Sequence, residues 1–266
     1  MLDMLSLLAC FACTQAAPLP VPADTIAVDV ELVLAVDISL SMNEKEFALQ
    51  RAGYVEALRH PDFIKAVRSG TNGRIALAYF EWAGTVRDDA ILAWQIIDGS
   101  DSANAFADRI AARPFRSFRG TSISGALAFG ADLFEKTVFA GARRVIDISG
   151  DGPNNIGPPV TATRDAALAK GIVINGLPIL ISPSPTFSHL DNYYEQCVTG
   201  GPGSFVLPIY AASEFSTAIR RKLILEVSGI GNATTVRIDA APPIDCLQGE
   251  RDRRFFSDPY FPELDR

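Results

Sequence analysis

The spacing of apolar residues changes period several times along the chain, and each change marks an element. Val28 to Val36 reads Val-Asp-Val-Glu-Leu-Val-Leu-Ala-Val, alternating at first and then continuously apolar. That pattern predicts a central strand of a parallel sheet, buried on both faces. Asn43 to His60 switches to helical spacing, with Phe47, Tyr54, Val55 and Leu58 on one face and Pro61 closing the segment. Arg74 to Trp82 reads as a second strand and Ala90 to Ile97 as a third. Ser102 to Ala112 reads as a short helix. In Ser122 to Val138, Ile123, Leu127, Ala131, Phe134 and Val138 recur at spacings of four or three, the clearest helix of the chain.

The second half repeats the alternation. Arg143 to Ser149 is a predicted strand, Thr161 to Lys170 a helix stopped by Gly171, and Ile172 to Leu180 another apolar strand. Residues 181–202 are rich in Pro and Gly and read as loop. Ser204 to Ile209 reads as a last strand. Ser213 to Ser228, with Phe215, Ile219, Leu223 and Val227, reads as a last helix. Strands alternating with helices predict an α/β fold, a doubly wound and mostly parallel sheet flanked by helices. The expected organisation is a leader at 1–17, a Pro-rich linker at 18–27, one domain at 28–230 and a partly disordered extension at 231–266. Within that extension Gly231 to Ala240 reads as one more strand. Residues 247–266 read as a weakly ordered tail that docks through its aromatics.

The leader rests on the apolar stretch Leu5 to Cys13, followed by the small residues of Thr14-Gln15-Ala16-Ala17 and by Pro18, Pro20 and Pro22. No Lys or Arg precedes it, and Asp3 stands where a positive charge is usual, so an upstream start and a buried helix stay open. An export signal implies a periplasmic or secreted protein. Cys10 and Cys13 would leave with it. Of the chain's four cysteines, Cys197 and Cys246 then remain. An even pair in an exported protein suggests one disulfide, with two separate buried thiols as the alternative.

Composition narrows the partners. The formal charge is -7, from 24 basic against 31 acidic residues, which offers no footprint for nucleic acid. No apolar run reaches the ~20 residues that span a bilayer, so no transmembrane span is expected in the mature chain.

Candidate chemistry lies where strands end, because open α/β sheets bind ligands at the carboxyl ends of their strands. After the first strand comes Asp37-Ile38-Ser39-Leu40-Ser41. Before the clearest helix comes Arg119-Gly120-Thr121-Ser122, and after the fourth strand Ser149-Gly150-Asp151-Gly152-Pro153-Asn154-Asn155. No glycine-rich phosphate-binding turn is present. The donor groups are all oxygen, with no Cys or His, which selects Mg²⁺, Mn²⁺ or Ca²⁺ over zinc or copper. Taken singly, Asp37 with Ser39 and Ser41 reads as a helix cap, Thr121 as an ordinary N-cap and Asp151-Gly152 as a turn. Asn154 and Asn155 read as turn formers, with contacts that support the ligand loops as the lesser option. Glu81 reads as a surface or outer carboxylate. His60, His189, Trp82 and Trp94 read as structural, and no histidine is placed to serve a catalytic serine.

Together the three loops resemble a von Willebrand factor type A domain with a metal-ion-dependent adhesion site. Its Asp-x-Ser-x-Ser, Thr and Asp fall here on Asp37, Ser39, Ser41, Thr121 and Asp151. The last loop is also similar to that of a bacterial exported subfamily. The resemblance implies a Rossmann-like fold over residues ~28–230 and Mg²⁺ (or Mn²⁺/Ca²⁺) bound by those five residues. Ser39, Ser41 and Thr121 would be direct ligands, with Asp37 and Asp151 acting mostly through water. It also implies no catalytic residue, and a protein partner whose acidic residue completes the metal's coordination. The rival from another class is a haloacid-dehalogenase-like phosphatase using Asp37 and Asp151. In it the acid/base Asp of the first loop is replaced by Ser39, which removes the proton donor for the leaving group.

Overall fold

A computed structural model describes residues 25–182, 187, 189–228 and 243–256; the side chains of 253–256 are excepted. The expected leader, the linker up to residue 24 and the expected strand at Gly231 to Ala240 lie outside the described residues. The strands are β1 (Ile26–Asp37), β2 (Ile75–Trp82), β3 (Val86–Ile97), β4 (Phe139–Gly150) and β5 (Ile172–Pro178). The helices are α1 (Glu44–Arg59), α2 (Pro61–Arg68), α3 (Ser100–Ala111), α4 (Ile123–Glu135), α5 (Val160–Ala169), α6 (Leu190–Tyr193), α7 (Phe215–Ser228) and α8 (Gln248–Phe256).

The sheet order is β3-β2-β1-β4-β5. β1 pairs in parallel with both β2 and β4, β4 pairs in parallel with β5, and β3 pairs antiparallel with β2. This is the expected doubly wound α/β sheet. β1 is central, so both its faces are covered. Leu32, Leu34 and Val36 pack with Tyr54, Leu58, Phe106, Ile219 and Leu223 of α1, α3 and α7. Val33 and Ala35 pack with Ile123, Leu127, Ala131 and Phe134 of α4. Each Val, Leu, Ile or Phe among them contributes about 1.5–3 kcal/mol on full burial, which explains the unbroken apolar run that marked β1.

Several expected boundaries shift. Pro61 does not end the helical region; it opens α2. Proline suits the first turn, where its missing N–H has no intrahelical partner. His60 caps this helix, its Nδ1 accepting from the Asp62 amide at 3.2 Å. α4 stops at Glu135, leaving Val138 outside it and 56% exposed, and β4 begins at Phe139. The expected loop at 181–202 contains α6 and a π-turn at Tyr194–Val198. The expected strand at Ser204 to Ile209 makes only isolated bridges, Val206 to Gly176 and Ile209 to Ile179. Pro208 lacks the N–H a continuous ladder needs. Within the extension, Gln248–Phe256 forms α8, while the side chains of Phe255 and Phe256 and residues 257–266, which carry the expected docking aromatics, lie outside the described residues. Among the described residues no helix is long and apolar enough to cross a membrane.

Candidate metal centre

β1 and β4 are neighbours whose connections leave to opposite faces of the sheet, and their carboxyl ends open a crevice. Asp37 is the last residue of β1, and Asp151 follows the last residue of β4. The chain leaves β1 under tight control. Ile38 N–H donates to Trp82 O at 2.8 Å, and Ser39 bridges Phe118 in parallel, with Leu40 N–H donating to Phe118 O at 2.9 Å. Gln50 Nε2 donates to Asp37 O at 3.0 Å. Asn43 and Glu46 then form a capping box that starts α1 immediately after Ser41 and Met42.

The side chains form one connected set. Asp37 Oδ1 accepts from the Ser39 amide at 2.7 Å. The hydroxyls of Ser39 and Ser41 are hydrogen-bonded at 2.8 Å. The Ser41 hydroxyl donates to Asp151 Oδ1 at 2.6 Å, across 110 residues of sequence. Asp37 is fully buried, yet its Oδ2 has no hydrogen-bond partner among the described residues. A buried carboxylate oxygen without a partner is costly to leave so. A Cβ built on Gly150 would lie 2.8 Å from that oxygen and 2.8 Å from the Tyr194 hydroxyl, itself buried without a partner among the described residues. Glycine at 150 is what permits this close approach.

The second loop is held by the third. The Thr121 amide donates to Asn155 Oδ1 at 2.8 Å, and the Asn155 amide donates back to Thr121 O at 2.8 Å. Asn154, fully buried, accepts on Oδ1 from the Ser124 amide at 2.9 Å. Gly120 adopts φ +84°, a left-handed conformation that presents Thr121 towards the third loop. Thr121 Oγ1 lies 3.9 Å from where a Cβ on Gly152 would sit. A cleft of about 380 Å³ is lined by Ser39, Leu40, Ser41, Arg119, Gly120, Thr121 and Asn155.

Electrostatics at this rim are frustrated. Burial, and then the charge of Asp151, push the Asp37 carboxyl well above the usual carboxylate range. Burial raises Asp151 to about 6, opposed by the Ser41 hydroxyl and reinforced by the charge of Glu46. Two carboxylates that share a buried site disfavour each other's ionisation, and a cation between them removes that conflict. Among the described residues no three His, Cys, Asp or Glu converge as a metal cluster. The other donors here are hydroxyls.

The structure thus brings Asp37, Ser39, Ser41, Thr121 and Asp151 to one rim. Of the two readings for Asn154 and Asn155, the lesser one holds: their side chains tie the second and third loops together. It did not single out Tyr194, whose place in a loop-rich stretch gave no signal. For Glu81 the surface alternative is corrected: it is 3% exposed, held by Arg51 at 2.9 Å and Arg113 at 3.0 Å.

The family described as "Protein of unknown function (DUF1194)" has a model that matches residues 27–231. The chain belongs to this family. No curated protein matched the sequence. The fold is that of a von Willebrand factor type A domain. Proximal thread matrix protein 1 of the mussel byssus is 15% identical, with a TM-score of 0.56 over 77% of this chain and 50% of that one. A second structure of the mussel protein, described as having a zinc-occupied metal-ion-dependent adhesion site, is 16% identical, with a TM-score of 0.53 over 77% and 50%. A von Willebrand factor type A protein from Catenulispora acidiphila is 13% identical, with a TM-score of 0.53 over 76% and 43%. The pilus adhesin SpaC from Lactobacillus rhamnosus GG is 12% identical, with a TM-score of 0.53 over 75% and 31%. The chain spans about half or less of the length of these proteins.

Proposed function

We propose that this chain is an exported, divalent-metal-dependent protein-binding module of the adhesion or scaffold kind. Asp37, Ser39, Ser41, Thr121 and Asp151 would hold the metal. The observation that carries the reading is the hydrogen-bonded run Asp37–Ser39–Ser41–Asp151 beside a buried, unpartnered Asp37 oxygen. An all-oxygen donor set fits Mg²⁺, or Mn²⁺ or Ca²⁺ in its place. Neutral hydroxyl ligands would leave the bound cation electrophilic enough to accept a carboxylate from a partner. Ser39 and Ser41 would orient it, with Asp37 and Asp151 supplying the balancing charge.

An acidic partner residue also suits Arg119. It is exposed, lines the same cleft and has no partner among the described residues. The solved proteins of like fold include a pilus adhesin and a byssus matrix protein with a metal-occupied site, which supports a binding role. Export is supported by the disulfide between Cys197 and Cys246, since such bridges persist in oxidising compartments. A phosphatase role is disfavoured. Asp37, the nucleophile it would need, is fully buried, and Ser39 occupies the acid/base position and is bonded to Ser41.

Calorimetric titration with Mg²⁺ and Mn²⁺ tests the site. The wild type should bind one equivalent, and Asp37→Ala and Asp151→Ala should lose it. Wild type that takes up no divalent ion, or variants that bind as well, would reject the site. A pull-down with and without chelator then tests the partner: capture that survives chelation contradicts metal-dependent binding.

A further inference from the structure

The extension beyond the domain returns to the candidate site. Cys246 is disulfide-bonded to Cys197 in the π-turn, with a Cα–Cα distance of 5.6 Å. Beside it, the Ile244 amide donates to Gln196 Oε1 at 3.1 Å. From this anchor the chain runs directly onto the third loop. Gly249 is seated so closely that a Cβ there would lie 2.3 Å from Asn154 O and 3.0 Å from Pro153 Cγ. One residue on, Glu250 Oε1 accepts from Asn154 Nδ2 at 2.8 Å.

Asn154 sits between this segment and both loops. Its Oδ1 accepts from the Ser124 amide, in the first turn of α4 just after Thr121. Its Nδ2 donates to Pro158 O at 3.2 Å as well as to Glu250, and its amide donates to the Tyr193 hydroxyl at 3.1 Å. The next residue, Asn155, makes the reciprocal bonds with Thr121. With acceptors at Pro158 and Glu250 and a donor at Ser124, the side-chain amide has one satisfied orientation. Without Glu250 one of its two amide protons loses its acceptor inside a buried site.

We infer that the disulfide-tethered segment Cys246 to Glu250 is a brace for the cleft, with Glu250 a positioning residue that fixes, through Asn154, the loops carrying Thr121 and Asp151. The inference rests on the metal reading of that cleft, and it makes cation affinity depend on the Cys197–Cys246 bridge. A domain lacking this extension would keep all five proposed ligands but hold them in looser loops. Preorganised ligands bind more tightly because less ordering remains to be done on binding.

The test uses the full chain in its oxidised form, with Glu250→Ala, Glu250→Gln and Cys246→Ser as variants. Mn²⁺ affinity is read by electron paramagnetic resonance, and amide hydrogen exchange of residues 119–125 and 151–156 is read without metal. Glu250→Ala and Cys246→Ser should weaken Mn²⁺ binding about five- to tenfold, the worth of one buried hydrogen bond. Both should speed exchange in the two loops while β1 and β4 stay protected. Glu250→Gln keeps a carbonyl acceptor for Asn154 and should restore affinity to within about twofold of wild type. Glu250→Ala and Cys246→Ser indistinguishable from wild type in both readouts would overturn the brace. Glu250→Gln as damaging as Glu250→Ala would overturn it too, since charge and not position would then be responsible. If wild type binds no Mn²⁺, the metal reading fails, and the exchange measurement still decides whether the segment holds the loops.

Discussion

Asp37 divides its carboxylate between two tasks. Oδ1 holds the turn out of β1 by accepting from Ser39, while Oδ2, beside Gly150, has no partner among the described residues. Gly150→Ala would push a methyl group to 2.8 Å from both Asp37 Oδ2 and the Tyr194 hydroxyl. The expected result is a loss of about 1–3 kcal/mol by urea denaturation, as for other overpacked cores. Unperturbed stability would show that these side chains can move aside.

A second buried charge set lies on the other side of β4. Lys222 is fully buried between Asp147 and Glu226, at 2.8 Å from each, and Asn175 Nδ2 donates to Glu226 at 2.7 Å. Lys222→Met leaves the two carboxylates facing each other and should cost about 3–5 kcal/mol by urea denaturation. Asp147 also sets a pH dependence. Burial raises it to about 6 from an unfolded value of 3.8; Lys222 opposes the shift and Glu226 reinforces it. The folded protein therefore keeps a proton that the unfolded chain releases. The stability tied to that proton is complete below the unfolded value and is lost as pH rises through about 6. Wild type should lose stability relative to Asp147→Asn between those two pH values. Parallel curves in urea titrations across that window would contradict this.

Elements differ in how openly the sequence declared them. β1, β2 and α4 were plain, because a fully buried strand reads as an unbroken apolar run and an amphipathic helix carries its own period. α2 was missed because Pro61 reads as a stop until its first-turn position is known. The bridges at Val206 and Ile209 show the opposite error: an apolar run with Pro208 inside it packs against β5 without joining the ladder. Local chemistry also sets where α1 begins. Asn43 and Glu46 exchange hydrogen bonds at 3.0 and 3.1 Å, and Glu46 further accepts from Ser182 at 2.7 Å. Asn43→Ala should therefore destabilise the domain by about 1 kcal/mol. Because the cap follows Ser41 so closely, the variant should weaken Mn²⁺ binding as well. A variant that loses stability but not affinity would separate the cap from the cleft.

For the whole molecule, a metal held at the proposed site would be linked to the fold through mass action. A cation that binds only the folded state at a hundred times its Kd adds about 2.7 kcal/mol, which raises Tm by about 5–10 °C in a domain of this size. Differential scanning calorimetry with Mn²⁺ and then with chelator should show that shift in wild type and none in Asp37→Ala. Equal shifts in both would mean that the ion binds elsewhere.

Sequence alone determined the α/β class, the strand and helix order through most of the domain, and the three loops with their five oxygen-bearing residues. Those features are local: a period of two or 3.6, or a motif a few residues long, needs no knowledge of what packs against it. Only the tertiary structure decided that Ser41 reaches Asp151, that Asn154 and Asn155 hold the Thr121 loop, and that Glu81 is a buried anchor for Arg51 and Arg113. It also decided that α8 returns to the third loop through Glu250, where the extension had read as a weakly ordered tail docking through its aromatics. These are contacts between residues 30 or more positions apart. A polar residue's partner at that distance is fixed by sheet order and burial, and neither is written in its neighbours.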